Sequence, residues 1–172
     1  MVGTESASVR AGNWMYLFFN RNDTAHIDYW KVAETSRDPV GYQIDIGGKT
    51  DLSSGGAITA VYLEGNDEIH VYYIGKPAAG KKKHLLREVC LKGAKKDGAP
   101  GPWEDKTQDL NKKDFDIDPE SMLCSAVDSK GYPRIFFNSD DALEHVQYAA
   151  FKDVPGTTGK DWDETRFTKL SQ

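Results

Sequence analysis

Several features that mark particular classes of protein are missing from this sequence. Of its 172 residues only two are cysteines, Cys90 and Cys124, and each lies in an apolar strand pattern. We expect buried free thiols, with a disulfide as the open alternative. No apolar run approaches the roughly 18 residues of a membrane span, and the segment before Val9 has no signal-peptide core. The sequence therefore predicts no membrane insertion, and a protein that is cytoplasmic or is released without a signal peptide.

The net charge of the chain and its lack of catalytic motifs argue against several further functions. Lys and Arg number 22 against 27 Asp and Glu, for a net charge of -5, so no overall basic field attracts nucleic acid. The four histidines are scattered, and zinc-ligand spacing, a phosphate-binding glycine loop and a nucleophile elbow are all lacking. Acid pairs such as Asp140 and Asp141 are expected in turns, where Asp caps the local backbone. We therefore expect no metal, no cofactor and no catalysis.

What the sequence does contain is one pattern that occurs three times. In each copy a strand of small residues leads through a turn into a strand with two adjacent aromatic residues, and then into a third apolar strand. The aromatic pairs are Phe18 with Phe19, Tyr72 with Tyr73, and Phe136 with Phe137. Neighbouring strand residues point to opposite faces of a sheet, so each pair is expected to pack against both adjacent sheets. A repeat of roughly 40–50 residues with several strands per unit is typical of a β-propeller blade.

The repeat predicts an all-β, propeller-type fold with about three four-stranded blades in a single domain, 1–172. The expected blades are 6–54, 55–117 and 118–172, and 116–121 is expected to be a connector. The fourth strands are expected at 42–46, from Trp103 toward Leu110, and around Trp162. Turns are expected at 21–23, 65–67 and 139–141. Long helices are not expected, because few windows place apolar residues at helical spacing.

Three blades are too few to close a ring, since propellers close with about four to eight. An open fan would leave two long bare edges, and bare edges recruit other strands. We therefore expect two chains to complete a six-bladed ring as a homodimer, an arrangement that two-fold symmetry permits. Trp14 and Trp30 have no counterpart in the other copies and are expected in core or interface packing.

The repeated segments resemble the fungal fucose-specific lectin family. The segments that carry the resemblance are 69–73 (IHVYY), 86–90 (LREVC), 102–103 (PW), 133–137 (PRIFF), 146–148 (VQY) and 161–162 (DW). Proteins of that family are six-bladed propellers that bind fucose in pockets between adjacent blades. The resemblance therefore implies a carbohydrate-binding lectin whose partners are glycans such as fucosylated oligosaccharides.

The resemblance also implies which residues bind the sugar. In the family, an Arg on the second strand and a Glu on the third bind sugar hydroxyls, and an aromatic residue of the neighbouring blade stacks on the ring. Here the Arg position holds Tyr16, His70 and Arg134. The Glu position holds Tyr29 (or Asp28, if the register slips by one), Glu88 and Tyr148. The candidate ligand-binding residues are Arg134, Glu88, Trp103, Trp162 and His70, because charged groups make strong hydrogen bonds and an aromatic plane suits the apolar sugar face.

Each candidate also has a purely structural interpretation. Glu88 could be an ordinary exposed strand residue, Arg134 could face solvent, and His70 could simply occupy a strand face. Trp103 and Trp162 could serve blade packing alone. Two other functions therefore stay open: a structural or protein-interaction propeller that has lost sugar binding, and a propeller glycosidase, which needs two acids flanking one glycosidic bond.

Overall fold

The protein is a three-sheet, all-β structure. The computed structural model describes residues 6–20, 26–44, 53, 56–77, 80, 82–98, 100–105, 110–138, 146–153 and 160–166. They form three antiparallel sheets and one short 3-10 helix, which confirms the predicted all-β, propeller-type class. In this part of the chain no helix has the length and apolar character that a membrane span requires. The turns predicted at 21–23 and 139–141 lie outside the described residues.

The first sheet, blade 1, has four strands in sequential order. They are β1 (Ser6–Ala11), β2 (Trp14–Asn20), β3 (Ile27–Ala33) and β4 (Val40–Gln43). The turn between β1 and β2 contains Gly12 with a positive φ of 61°, a conformation that glycine adopts without strain. The fourth strand begins before the predicted Tyr42, because pairing with β3 continues back to Val40, opposite Lys31.

The second sheet, blade 2, has five strands. They are β5 (Ile58–Leu63), β6 (Glu68–Gly75), β7 (His84–Lys92), β8 (Trp103–Asp105) and β9 (Asp116–Ile117). β9 corrects the prediction that 116–121 is only a connector: Ile117 is buried and lies opposite His84 at the start of β7. Before β9, the segment from Leu110 to Lys112 is the 3-10 helix, so the fourth strand of this blade stops short of Leu110.

The third sheet, blade 3, again has four strands in sequential order. They are β10 (Cys124–Val127), β11 (Pro133–Asn138), β12 (Val146–Asp153) and β13 (Lys160–Arg166). Both cysteines are free, as expected, but only Cys90 is buried. Cys124 is exposed because it lies opposite Phe136, on the face of β10 and β11 that points away from blade 2.

The blades stack in the order 1, 2, 3, and blade 2 is covered on both faces. One apolar cluster joins Tyr16, Phe18 and Tyr29 of blade 1 to the face of blade 2 that carries Val71 and Tyr73. The second cluster joins the opposite face of blade 2 to blade 3; its members include Tyr72, Ile74, Ile135, Phe137 and Trp162. The aromatic pair Tyr72 and Tyr73 is thus divided between the two clusters. Alternation along the strands therefore gives blade 2 one face toward blade 1 and one face toward blade 3.

The inner strands lie side by side near the common axis. β5 contacts both β1 and β10. The hydroxyls of Thr59 and Ser125 are 2.6 Å apart, and the Ser125 hydroxyl also donates to the carbonyl oxygen of Ala60 at 3.1 Å. Small side chains on these strands permit this close approach of neighbouring sheets.

Candidate functional site

The sheet register aligns the Arg and Glu positions of the three blades. The first residue of each aromatic pair lies opposite the Glu position, in the pairs Phe18–Tyr29, Tyr72–Glu88 and Phe136–Tyr148. The Glu position of blade 1 is therefore Tyr29, since the alternative, Asp28, lies opposite Phe19. The Arg position is two residues before each aromatic pair and shares its face with the Glu position. In blades 1 and 2 this shared face points toward the next blade, and in blade 3 it points away from blade 2.

The cleft between blades 1 and 2 is filled by aromatic side chains. Trp103 packs edge-on against Phe18 and Tyr29, with ring centroids 5.8 and 5.5 Å apart. Its Nε1–H donates to the Tyr29 hydroxyl at 3.3 Å, and the Tyr16 hydroxyl donates to the carbonyl oxygen of Ala94 at 2.8 Å. Burial raises the pKa of Tyr16, and it raises the pKa of Tyr29 to about 12. Both phenols are thus neutral and hydrogen-bonded within the protein.

Lys31 closes one end of the same cleft. Its ammonium group donates to the carbonyl oxygens of Lys96 and Gly98 at 2.8 and 3.0 Å. The nitrogen also lies 4.2 Å from the centroid of the Trp14 ring, within cation–π range. Burial lowers the pKa of Lys31, and the charge of Asp97 acts in the opposite direction. The side chain thereby joins β3 to the loop that follows β7.

The cleft between blades 2 and 3 contains two of the predicted polar ligands, bound to each other. Nδ1 of His70 lies 2.7 Å from Oε1 of Glu88, and the two residues are only 7% and 1% exposed. From the blade 3 side of this cleft, Trp162 packs edge-on against Tyr72, with ring centroids 5.9 Å apart. Burial and then the Glu88 carboxylate raise the pKa of Tyr72, although its hydroxyl makes no hydrogen bond of acceptable geometry with the described residues.

Two further side chains surround His70. Its Nε2 lies 3.1 Å from Oε2 of Glu68 and 3.7 Å from Sγ of Cys90. Burial by itself would lower the pKa of His70, but the hydrogen bonds to Cys90, Glu68 and Glu88 raise it to about 11. Among protein groups alone, the imidazole is therefore a cation that donates to a carboxylate from each ring nitrogen.

Arg134 lies on the face of blade 3 that points away from blade 2. Its Nε and Nη2 donate to Oδ2 of Asp128 at 3.2 and 2.7 Å. Asp128 also accepts the backbone N–H groups of Lys130 and Tyr132, both at 2.9 Å, so the turn between β10 and β11 is built around this carboxylate. These interactions, first the Tyr132 N–H and then the Arg134 side chain, lower the pKa of Asp128. The guanidinium is thus held in one orientation on a side chain that is 28% exposed.

The opposite end of the blade stack also has an apolar face. Met15, Leu17 and Phe19 alternate with the buried residues of β2 and so point away from blade 2. On the same face Trp30 is 44% exposed and packs edge-on against Phe19, with centroids 5.2 Å apart. Phe19 and Trp30 line a shallow cavity of about 360 Å³ together with Asp28, Gly41, Tyr42 and Gln43. We call the surface formed by Met15, Leu17, Phe19 and Trp30 the outer face of blade 1.

The five candidate residues are thus distributed over three places. Glu88 and His70 lie together in the cleft between blades 2 and 3, where Trp162 also packs. Trp103 lies in the other cleft, and Arg134 lies on the outward face of blade 3. Sequence reasoning did not select Glu68, Cys90 or Asp128. The signal for the first two was present, because Glu68 is two residues before His70 and Cys90 two residues after Glu88, and such neighbours share a strand face.

Comparison with known proteins finds matches among solved structures. No protein-family model and no curated protein matches the sequence. A solved structure of AofleA from Arthrobotrys oligospora, in a variant with three arginines replaced by alanine, matches with a TM-score of 0.70 and 18% identity, over 94% of this chain and 41% of that one. A thermostable family-43 glycoside hydrolase matches with a TM-score of 0.53 and 12% identity, over 98% of this chain and 54% of that one.

The chain therefore spans about half, or less, of the length of these two structures. At such identities the similarity shows the fold alone: this chain is a partial β-propeller of three blades.

Proposed function

We propose that this protein is a carbohydrate-binding lectin without catalytic activity, and that fucose or a related sugar is its ligand. The proposal rests on the position of Arg134, which lies on the face of blade 3 that points away from blade 2. Arg134 occupies the Arg position, faces the direction in which a following blade would stand, and is oriented by Asp128. Guanidinium N–H groups not used by Asp128 are donors for vicinal sugar hydroxyls, and such charge-assisted hydrogen bonds are strong.

The stacking surface for this site comes from a second copy of the chain. Blade 2 meets blade 1 through a face that carries Val71 and Val89, and the corresponding face of blade 1 carries Leu17 and Trp30. When blade 1 of one protomer stands next to blade 3 of its partner, Trp30 of the first protomer lies opposite the partner's Arg134. A two-fold axis then creates two such clefts and closes a six-bladed ring. An indole beside a guanidinium matches a pyranose, which has a polar edge and an apolar C–H face.

Glu88, His70, Trp103 and Trp162 remain candidates for the two internal clefts. For Glu88 and His70 to bind a sugar, their mutual hydrogen bond of 2.7 Å must be exchanged for bonds to the ligand. For the two tryptophans, the ring contacts across each cleft must open. The internal clefts are therefore weaker sites in this proposal than the one at Arg134.

Glycan-array screening followed by calorimetry with free fucose tests the proposal. We expect the parent protein to bind and Arg134→Ala to lose affinity about tenfold or more, because a hydrogen bond to a charged group contributes roughly 1.5–3 kcal/mol. Lys130→Ala is the matched control, since Lys130 is an exposed cation in the same turn. If binding survives Arg134→Ala but is lost in Glu88→Gln, the site is the cleft between blades 2 and 3. If no glycan binds the parent protein, the lectin proposal is wrong and the protein-interaction alternative takes its place.

A glycosidase is the second candidate, supported by the similarity in fold to a family-43 glycoside hydrolase. Its acids would be Glu68 and Glu88, which approach the two nitrogens of the same imidazole. Two carboxyl groups about 5–9.5 Å apart are what glycoside hydrolysis requires. Release of reducing sugar from oligosaccharides, abolished in both Glu68→Gln and Glu88→Gln, would establish this activity and overturn the proposal of binding alone.

A further inference from the structure

A buried group of four side chains lies on the face of blade 2 that meets blade 3. Glu68 and His70 are on β6, and Glu88 and Cys90 are on β7. His70 lies directly opposite Cys90 in the ladder, so all four side chains project from one patch of the sheet. Cys90 is fully buried, Glu88 and His70 are nearly so, and Glu68 is mostly buried. Charged groups that are buried to this extent need a specific partner, because removing them from water is costly.

We propose that Glu68, His70 and Cys90 bind one divalent transition-metal ion of the zinc class, and that Glu88 orients His70 for this purpose. One ligand atom from each of the three residues lies within 4.8 Å of the others. The Nε2 of His70 is 3.1 Å from the Glu68 oxygen and 3.7 Å from the Cys90 sulfur. Around a tetrahedral zinc ion with bonds of about 2.0–2.3 Å, ligand atoms are roughly 3.3–3.8 Å apart. The three groups therefore need only small side-chain shifts to enclose the ion.

The contact between Glu88 and His70 is the arrangement that metal-binding histidines use. A carboxylate can only accept, so the Nδ1 that faces Glu88 at 2.7 Å carries a hydrogen. With that hydrogen fixed, Nε2 is the nitrogen that gives up its proton and then presents a lone pair to an ion between Glu68 and Cys90. Carboxylates in this position orient the ring and raise its basicity, and they affect metal affinity without touching the metal.

Ligand chemistry selects the metal. An imidazole, a thiolate and a carboxylate suit zinc or cobalt, whereas magnesium and calcium require oxygen ligands. On binding, the proton on Nε2 of His70 and the thiol proton of Cys90 leave to solvent, and the ion takes the place of both.

The fourth coordination position would be filled from one side of the patch. A cavity of about 560 Å³ lies between the turn after β5 and the turn after β10, and Leu63, opposite Glu68 in the ladder, lines it. The cavity is therefore nearer to Glu68 than to the other two ligands along the strand ladder. Three protein ligands with one water is the coordination typical of zinc sites that remain open.

Cobalt substitution tests the proposal on the full chain. The protein is stripped of metal with a chelator and titrated with Co²⁺, and the thiolate-to-cobalt charge-transfer band is followed in the near ultraviolet. We expect one equivalent to bind, with a band that Zn²⁺ displaces. The band should be lost in Cys90→Ser and retained in Cys124→Ser, which is the matched control because Cys124 is the exposed thiol on the far face of blade 3. Absence of the band from the parent protein, or its survival in Cys90→Ser, would overturn the proposal.

Two further variants keep the test decisive if Cys90→Ser does not fold. Glu68→Gln changes the least buried of the three ligands, 12% exposed, and removes an anionic ligand, so it should weaken Co²⁺ binding while near-ultraviolet circular dichroism stays unchanged. Glu88→Gln should weaken binding about 10–100-fold and leave the band position intact, since Glu88 does not touch the metal. Unchanged affinity in a folded Glu68→Gln protein would contradict the assignment of the ligands.

Discussion

His70 and Arg134 occupy the same register position in consecutive blades, but in the described part of the chain only Arg134 lies on a face that no other blade covers. His70 lies opposite Val61 on a face that blade 3 covers, and it is bound by carboxylates on both sides. Arg134 lies opposite Ala126, a small exposed residue, and is bound by Asp128 alone among the described residues. Position in the stack, as well as residue type, therefore determines which of the repeated sites a ligand can reach.

Replacing Asp128 by Asn is expected to destabilise the protein at neutral pH and to have little effect in acid. The folded pKa of Asp128 is lowered from its ordinary value of 3.8 by the Tyr132 N–H and by Arg134. The stabilisation is therefore fully present above 3.8 and is lost as the pH falls through the lower folded value. Urea midpoints of parent and variant, measured from neutral pH downward, should converge. A difference that stays constant over this range would show that the charge of Asp128 is not the cause.

Replacing Trp30 by Ser is expected to convert a dimer into a single chain without unfolding it. Trp30 is the aromatic centre of the outer face of blade 1, and in the proposed ring that face is buried against the partner. Light scattering should give the mass of two chains for the parent and of one chain for the variant. Met122→Ser is the control, since Met122 is 81% exposed but lies in the connector before β10. A parent protein with the mass of one chain at all concentrations would rule out the ring.

Replacing Lys31 by Met is expected to lower the free energy of unfolding by about 1–3 kcal/mol, because the carbonyl oxygens of Lys96 and Gly98 lose their buried donor. Methionine retains most of the apolar part of the lysine side chain, so the lost hydrogen bonds account for the lower free energy of unfolding. Lys92→Met is the matched control: Lys92 pairs with Glu104 at the surface, where ion pairs contribute little. Equal midpoints of denaturation for parent and Lys31→Met would contradict the prediction.

Replacing Gly75 by Ala is expected to cost about 1–3 kcal/mol through overpacking. A Cβ at this position would lie 2.6 Å from Cγ of Arg87 and 3.3 Å from the carbonyl oxygen of Leu85. At Gly65, in the turn between β5 and β6, a Cβ meets nothing within 4 Å. Gly65→Ala should therefore leave the thermal midpoint unchanged or raise it slightly. Equal shifts of the thermal midpoint in the two variants would contradict this prediction.

The sheets could be predicted from the sequence because strong aromatic and β-branched strands recur at blade spacing. The three aromatic pairs mark β2, β6 and β11, the second strand of every blade. Weaker elements were displaced or missed, since β4 and β9 are short edge strands whose pairing depends on the neighbouring strand. Two residues such as Asp116 and Ile117 give no pattern of their own.

The candidate site could be predicted only in part. Resemblance selected His70 and Glu88, which lie on the same sheet face of the neighbouring strands β6 and β7. Alternation does not reveal that blade 3 covers that face, or that their side chains bind each other. Alternation places Glu68 beside His70 and Cys90 beside Glu88, and the register of β6 against β7, which long-range pairing sets, brings the two pairs together. No sequence pattern singles out Asp128, and only the fold brings Arg134 within 2.7 Å of it.

The double covering of blade 2 has a consequence for local opening of the structure. In a stack whose units contact only their neighbours, the stability of each unit depends on how many neighbours it has. Every residue of β6 after Glu68 is buried, whereas β2 and β11 alternate between covered and uncovered side chains. Amide protons of β6 should therefore exchange with solvent most slowly, and the stack should fray from both ends toward its centre.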